Sequence, residues 1–203
     1  IKSMKTLKKV HTGIFRDGGA GAFSKRRFRD RRKKLMAKEG QLIAVTGVPY
    51  GPGGKTTWSY AHSPTYQEPA MMHLTGINQN NVILLLDPNS KVSDEILFVD
   101  SKDRVMEFWE GVRFGVGDEQ SLKEVRSVTG IQDVRDIREF KDVLKERFKK
   151  QKKKTLGTLW LEGIQRGKAV SIKTDHNFDF KKKLEGWLRS WKSPKGALKN
   201  IMK

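Results

Sequence analysis

Met72-His73-Leu74-Thr75-Gly76-Ile77-Asn78 begins the stretch that decides the fold, and Glu107-Phe108-Trp109-Glu110-Gly111-Val112-Arg113-Phe114-Gly115 ends it. Two apolar runs, 82–86 and 96–99, lie between these motifs, and Leu74 itself is expected in a strand. The residues Asp87-Pro88-Asn89-Ser90 separate the two runs, and their proline and asparagine favour chain reversal. The stretch therefore predicts strands of a sheet, two of them joined as a hairpin.

The segments on either side of this stretch alternate between helical and strand patterns. Leu42-Ile43-Ala44-Val45, bounded by glycines, predicts a buried strand. An amphipathic helix that Gly40 ends is predicted ahead of it from residues at helical spacing: Phe28, Arg31, Arg32, Leu35 and Met36. Later patterns predict helices at 119–128 and 137–148, a strand at 158–161 and an amphipathic segment at 178–191. This alternation indicates an α/β unit.

Composition limits the class of protein. The chain has 203 residues, which suits one domain with appendages, and no cysteine, which excludes disulfides and a cysteine nucleophile. No apolar run approaches the roughly 20 residues that cross a bilayer, and no secretory pattern opens the chain, so we expect a cytoplasmic protein without a membrane partner. The net charge of +19 attracts nucleic acid, anionic membranes or acidic proteins, although basic residues beside amphipathic segments also form ordinary solvated faces.

The order of the motifs matches a known family. Leu74-Thr75-Gly76 comes first, the two strands follow, and Trp109-Glu110-Gly111-Val112-Arg113-Phe114-Gly115 comes last. The chain thereby resembles the amino-terminal domain of the Xaa-Pro aminopeptidase (aminopeptidase P) and creatinase family. This resemblance implies a three-layer α/β/α domain with a mixed central sheet at 27–192. A basic segment with a glycine-rich insert, 1–26, would precede it, and a tail or a linker to an absent catalytic domain would follow at 193–203.

The resemblance implies an accessory role for the chain. In the family, the catalytic half follows this domain and holds two divalent metal ions, expected here to be manganese, through two Asp, one His and two Glu. The chain itself would hold no metal and hydrolyse no peptide. It would shape the access of proline-containing peptides and mediate the contacts of a homo-oligomer. Its partner would be the catalytic domain of the same polypeptide, which would hydrolyse the bond before proline.

The resemblance also assigns roles to residues. Those expected to contact the substrate path or a neighbouring subunit are Trp109, Arg113, His73 and Gln67. Those expected to form the structural motif are Leu74, Thr75, Gly76, Gly111 and Gly115. The guanidinium of Arg113 would suit a carboxylate, which it can bind through two hydrogen bonds. No residue of the chain is expected to be catalytic.

Three other patterns are weaker indications of chemistry. Gly51-Pro52-Gly53-Gly54-Lys55-Thr56-Thr57 looks like a phosphate-binding loop, but the glycine required six positions before the lysine is Pro49, which has no N–H to donate. The four histidines have no metal-ligand spacing. Asp133, Asp136 and Glu139 are expected at the start of a helix, where neighbouring arginines balance their charge.

Two alternative functions stay open. The same fold without enzyme activity would be a binding module for histones or acidic partners. Nucleic acid would instead bind through basic clusters, chiefly 25–34 and 149–154, with an affinity that salt weakens. A following domain that keeps the five metal ligands would favour the enzyme over both alternatives.

Overall fold

The computed structural model describes residues 24–49, 67–105, 107, 113–160 and 176–202, and within them α-helices cover a six-stranded sheet. The helices are α1 (Lys25–Glu39), α2 (Pro69–Thr75), α3 (Glu119–Thr129), α4 (Phe140–Lys150) and α5 (His176–Ser190). The strands are β1 (Leu42–Thr46), β2 (Ile83–Leu86), β3 (Glu95–Val99), β4 (Asp133–Asp136), β5 (Leu156–Thr158) and β6 (Leu198–Asn200). A 3₁₀ turn, Ile137–Glu139, joins β4 to α4.

The sheet is mixed, with the strand order β4-β3-β2-β1-β5-β6. β2 runs antiparallel to both of its neighbours, whereas the β1–β5, β5–β6 and β3–β4 pairs are parallel. The predicted hairpin is confirmed as β2–β3, in which Leu84 lies opposite Leu97. Of the described strands, all except β2 therefore run in the same direction, and their carboxyl ends lie along one side of the sheet, across the strands. We call this the carboxyl edge, and the opposite one the amino edge.

Apolar side chains bury both faces of the sheet. In β1, Ile43 and Val45 join a hydrophobic cluster with α1, α2 and α3, whereas Leu42 and Ala44 join a second cluster with α4 and α5. This division follows from strand geometry, because successive side chains point to opposite faces. The predicted three-layer α/β/α class with a mixed central sheet is thus confirmed.

One buried arginine joins α1, α2 and α3, the helices on one face of the sheet, which we call the first layer. Arg32 of α1 is fully buried and donates to the carbonyls of Leu74 (2.8 Å) and Thr129 (3.0 Å) and to the carboxylate of Glu95 (2.9 Å). Leu74 and Thr129 lie in the last turns of α2 and α3, where carbonyls have no partner within their own helix. Arg32 therefore satisfies two helix ends at once. The predicted helix around it is confirmed, with Gly40 as its carboxyl-terminal cap.

The two helix ends that Arg32 contacts are built alike. Leu74-Thr75-Gly76-Ile77 ends α2 and Val128-Thr129-Gly130-Ile131 ends α3. Each threonine hydroxyl donates to the carbonyl four residues back, at 2.7 and 2.8 Å, and accepts from the amide two residues on, at 3.1 and 3.0 Å. Gly76 has φ 74°, and a Cβ there would lie 2.5 Å from the ring of Phe28. Only glycine fits this turn.

The prediction that Leu74 lies in a strand was wrong, because it belongs to α2. Pro69 opens this helix, where a missing N–H has little effect, and Gly76 ends it in the left-handed conformation. The helix has only seven residues, which is too short for a helical repeat of apolar positions to stand out in the sequence. The capping glycine, Gly76, was therefore the feature of the local sequence that indicated a helix.

Predictions for the outer strands were also wrong in part. Asp133 begins β4, which pairs with β3, and does not start a helix, whereas Asp136 ends this strand and also caps the 3₁₀ turn that leads into α4. All residues of this edge strand are half-buried, so it lacks the apolar run of a central strand. β5 ends at Thr158 and does not span 158–161. Part of the expected tail, 198–200, forms β6 beside β5, while the predicted domain boundaries stay predictions.

Candidate functional site

Some of the residues assigned to the substrate path meet at the carboxyl edge. Gln67 is buried ahead of α2, and its side-chain oxygen accepts from the amides of Val48 (3.0 Å) and Glu68 (2.8 Å). Its side-chain nitrogen donates to the Gln79 carbonyl at 2.5 Å. Val48 follows β1 and Gln79 precedes β2, so Gln67 links three segments at this edge.

Gln79 connects this region to the second motif. Its side-chain oxygen accepts from the amide of Phe114 at 2.7 Å, and its side-chain nitrogen donates to the carbonyl of the same residue at 2.9 Å. The two contacts imitate the paired hydrogen bonds that two residues exchange in an antiparallel ladder. Gln67, Gln79 and Phe114 thus form a continuous chain of contacts between the segment that precedes α2 and the Arg-Phe-Gly motif.

Arg113 lies beside this contact with its backbone held on both sides. Its amide donates to the Glu107 carboxylate (2.8 Å), and its carbonyl accepts from the Lys102 ammonium (2.6 Å). Lys102 and Glu107 also form an ion pair at 2.5 Å, with side chains 16% and 15% exposed. The half-buried side chain of Arg113 donates to the Asn80 carbonyl at 3.2 Å. These contacts fix the backbone of Arg113, and its guanidinium is a group that can bind a carboxylate through two hydrogen bonds.

Gly115 lets this segment pass close to the end of β3. A Cβ at Gly115 would lie 2.7 Å from the amide nitrogen of Lys102 and 2.8 Å from its Cα. The Gly115 amide donates to the hydroxyl of buried Ser121 at 2.9 Å. The neighbouring Val116 carbonyl accepts from the Lys102 amide at 2.8 Å. We use the name junction for Gln67, Gln79, Lys102, Glu107 and 113–116.

The two aspartates at the ends of β4 pair with arginines, and the Asp136 pair lies beside the junction. Asp136 accepts two hydrogen bonds from the guanidinium of Arg138, one from the Arg138 amide and one from the Ser101 hydroxyl at 2.6 Å. The hydrogen bonds from Arg138 hold the pKa of Asp136 well below its ordinary value. The side-chain hydrogen bonds of Arg135 likewise lower the pKa of Asp133. The predicted charge balance between these carboxylates and the neighbouring arginines is confirmed, within a strand and its following turn.

His73 lies away from the junction, on the exposed side of α2. Its carbonyl accepts from the guanidinium of Arg31 in α1 at 2.9 Å. Desolvation, together with the positive charge of Arg31, lowers the pKa of His73. Its imidazole is therefore largely neutral at pH 7, so any contact that this side chain makes would be an uncharged one.

The structure brings together only some of the assigned residues. Gln67, Arg113 and Gly115 meet in the junction, while His73 does not belong to it. Trp109 and Gly111 lie outside the described residues, as do the loop 50–66 and its phosphate-loop-like motif. The contacts of these residues with substrate or with another subunit stay predictions.

Two features of the site were not recognised in the sequence. Gln79 lies in the polar run Asn78-Gln79-Asn80-Asn81, which has no pattern that distinguishes one amide from the next. The buried Arg32 lies among many solvent-facing basic residues of α1. A signal did exist for its two targets, because the repeat of Thr-Gly-Ile at 75–77 and 129–131 indicates two equivalent helix ends.

The junction orients groups through hydrogen bonds. In the described part of the chain, no cluster of three or more His, Cys, Asp or Glu side chains could hold a metal ion, so these residues do not fit a metal pair. No helix in those same ranges is long and apolar enough to cross a membrane. The class of protein is thus a three-layer α/β domain whose carboxyl edge positions a fixed arginine.

Comparison with known proteins gives the family. Residues 28–156 match the family model of the aminopeptidase P N-terminal domain. Because this match spans more than half of the 203 residues, the chain belongs to that family. The resemblance found in the sequence is confirmed. A search of curated proteins gave no match.

Solved structures with the same fold include several aminopeptidases P. A Bacillus anthracis protein assigned as an aminopeptidase P aligns with a TM-score of 0.63 and 19% identity, over 88% of this chain and 38% of its own. The Pseudomonas aeruginosa aminopeptidase PepP aligns with a TM-score of 0.59 and 18% identity, over 83% and 33%. The zinc-substituted Escherichia coli aminopeptidase P gives 0.57 and 16%, over 89% and 37%. The chain thus spans about a third of the length of these proteins.

Proposed function

We propose that this chain is the non-catalytic N-terminal domain of a metal-dependent Xaa-Pro aminopeptidase. The match of residues 28–156 to the aminopeptidase P N-terminal domain carries this proposal. The solved relatives support it, because the chain corresponds to only 33–38% of their length. The remainder of such a polypeptide would hold two manganese ions and hydrolyse the bond before proline. The described residues supply no step of that chemistry.

The proposed role of the junction is to shape the path of the peptide. A guanidinium whose backbone is fixed loses less freedom when it binds a carboxylate than one on a mobile loop. Arg113 meets this condition, because neighbouring groups bond both its amide and its carbonyl. In this proposal Trp109 lies beside it at the substrate path or at a neighbouring subunit. Gln67 acts through Gln79, whereas His73 contacts a subunit from α2.

The proposal can be tested on the 203-residue chain and on the whole polypeptide encoded by its gene. We expect the chain alone, supplied with manganese, to release no amino acid from an Xaa-Pro peptide. The whole polypeptide should release it and should lose activity with a chelator. Metal-dependent release by the chain alone would contradict the proposal. A gene that encodes no metal-binding domain after this one would contradict it as well.

A matched pair of variants in the whole polypeptide tests the role of Arg113. Arg113→Ala should raise KM for short Xaa-Pro peptides about tenfold, with a smaller effect on kcat, because a charge-assisted hydrogen bond contributes about 1.5–3 kcal/mol. Arg104→Ala is the control, since Arg104 is exposed and has no hydrogen-bond or ion-pair partner among the described residues. Equal KM values for the two variants would refute the assignment of Arg113.

A further inference from the structure

α1 carries basic residues on every face that does not pack on the core. Its buried face consists of Phe28, Arg32 and Met36. The exposed basic residues of this helix are Lys25, Arg26, Arg27, Arg29, Lys33, Lys34 and Lys38. Asp30 and Glu39 are its acidic residues. This helix is therefore a concentrated source of the positive charge of the chain.

Three of these residues form an uncompensated stripe. Arg26, Arg29 and Lys33 have the spacing i, i+3, i+7, which places them along one side of a helix. Among the described residues, no carboxylate lies within ion-pair distance of any of the three. The helix that carries this stripe ends at Gly40, its cap. The helix has 15 residues and is about 22 Å long.

Gly40 is also part of an open groove at the amino edge of the sheet. The groove has a volume of about 780 Å³ and lies between the β2–β3 turn and the end of α4. Its cationic lining residues are Lys91, Arg135, Arg147, Lys150, Lys152 and Lys153. Its acidic lining residues are Asp87 and Glu146.

Both acids of the groove already have cationic partners. Asp87 pairs with Arg147 at 3.4 Å and Glu146 with Lys150 at 2.5 Å. Lys91, Lys152 and Lys153 are exposed, and no carboxylate of the described ranges pairs with them. The fold therefore places Gly40, where the basic helix α1 ends, in one groove with Lys150, Lys152 and Lys153, which are more than a hundred residues away in the sequence.

We propose that the stripe and the groove form one surface that binds nucleic acid through its phosphates. The α1–groove surface is defined by Arg26, Arg29, Lys33, Lys91, Lys152 and Lys153. Guanidinium groups bind phosphate oxygens through two hydrogen bonds, and a helix about 22 Å long can follow several phosphates of a strand. None of the defining residues is aromatic, so the surface lacks the stacking platforms that grip bases. Binding is consequently independent of base sequence and sensitive to salt.

The shape of the surface favours nucleic acid over a membrane. A helix that lies on a bilayer inserts its apolar side among the lipids. The apolar side of α1 is already buried, since Phe28 and Met36 are 6% and 5% exposed. The surface also lies at the other edge of the sheet from the junction, so it is independent of the proposed peptidase role. Variants can therefore separate the two functions.

The test compares two variants of the whole chain that lose the same charge. The surface variant is Arg26→Gln/Arg29→Gln/Lys33→Gln. The control variant is Arg104→Gln/Lys123→Gln/Lys183→Gln, in which all three substituted residues are exposed. Arg104 follows β3 at the carboxyl edge, and Lys123 and Lys183 lie within α3 and α5, so none of them belongs to the α1–groove surface. Circular dichroism checks that both variants fold.

Fluorescence anisotropy with labelled single-stranded DNA, RNA and duplex DNA measures binding between about 50 and 200 mM salt. Near 100 mM salt, the surface variant should bind single strands about tenfold more weakly, and its plot of log K against log salt should be shallower by about 2. The control variant should stay within about twofold of the parent. A third variant, Arg26→Lys/Arg29→Lys, keeps the charge and should retain most of the affinity.

Several results would overturn the proposal. Equal weakening by the surface and control variants would mean that net charge alone attracts the probes. If the parent chain bound none of the probes near 100 mM salt, the α1–groove surface would not be a nucleic-acid-binding site. Tighter binding to phosphatidylserine vesicles or to polyglutamate than to each nucleic acid would assign the surface to a membrane or to an acidic protein.

Discussion

Replacement of Arg32, which pairs with Glu95 in the interior, tests how the first helical layer is held together. Arg32→Met removes three hydrogen bonds of 2.8–3.0 Å, to the carbonyls of Leu74 and Thr129 and to the Glu95 carboxylate. Methionine keeps a long, flexible side chain at this position, so it limits the cavity that the substitution leaves. The main effect is therefore electrostatic.

The expected loss in the free energy of unfolding is about 3–5 kcal/mol. Glu95 is only 8% exposed, and removal of Arg32 leaves its carboxylate buried without a cation. That penalty exceeds the effect of a small change in side-chain volume, which is usually below about 1.5 kcal/mol. A loss of this size is a large share of the roughly 5–15 kcal/mol that stabilises a typical domain.

Urea unfolding followed by circular dichroism measures this loss, with Arg31→Met as the control. Arg31 is the adjacent arginine of α1 and donates to the His73 carbonyl at an exposed site, so its replacement should cost less than about 1 kcal/mol. The double variant Arg32→Met/Glu95→Leu lacks the unpaired charge and should recover at least about 1 kcal/mol relative to Arg32→Met. Equal losses for the two arginine variants would refute the reasoning. So would a double variant whose loss is the sum of the losses of Arg32→Met and Glu95→Leu.

Four further substitutions test the packing and hydrogen bonds of single positions. Gly115→Ala should lower the free energy of unfolding by about 1–3 kcal/mol, because its Cβ would lie 2.7 Å from a backbone nitrogen. Gly186→Ala, within α5 and with nothing within 4 Å, should instead raise it by about 0.5–1 kcal/mol, and thermal unfolding measures both. Thr129→Val should cost about 1–2 kcal/mol in urea unfolding, because the lost hydroxyl both donates and accepts in the interior. Arg138→Gln should destabilise the chain at neutral pH and lose this effect as the pH falls below about 4. The reason is that the hydrogen bonds from Arg138 depress the pKa of Asp136 in the folded state. Their stabilisation is complete above the unfolded pKa of this carboxyl and is lost progressively as the pH falls toward the folded pKa. A pH-independent difference in unfolding midpoints would contradict this.

The central strands could be predicted because burial on both faces produces apolar runs. β1, β2 and β3 each show such a run, and turn residues bound the hairpin. β6 has no such run, since its residues are Leu198-Lys199-Asn200. It forms because β5 offers an open edge, where the Leu156 amide donates to the Ala197 carbonyl at 2.8 Å and backbone pairing continues along the strand. An edge strand therefore depends on its neighbour more than on its own composition.

The candidate site was less predictable because its contacts join distant segments. The motif around Arg113 could be recognised by its residue types and spacing. The partner that holds it could not, since Gln79 contacts Phe114 only after the β2–β3 hairpin has formed between them. A polar side chain that bonds to backbone leaves no periodic pattern in a sequence, unlike the apolar side chains of a core.

The two edges of the sheet differ in how their charges are balanced, and this separates their roles. At the carboxyl edge, Lys102 pairs with Glu107 and Asp136 with Arg138, so these four charges balance one another beside Arg113. At the amino edge, Lys152 and Lys153 have no acidic partner in the described ranges. β1 has five residues and separates the two edges by about 17 Å, roughly twice the screening length of about 8 Å at physiological salt. Cations of the groove should therefore act weakly on a carboxylate placed at the junction, and an anion added at one edge should leave anion binding at the other edge nearly unchanged.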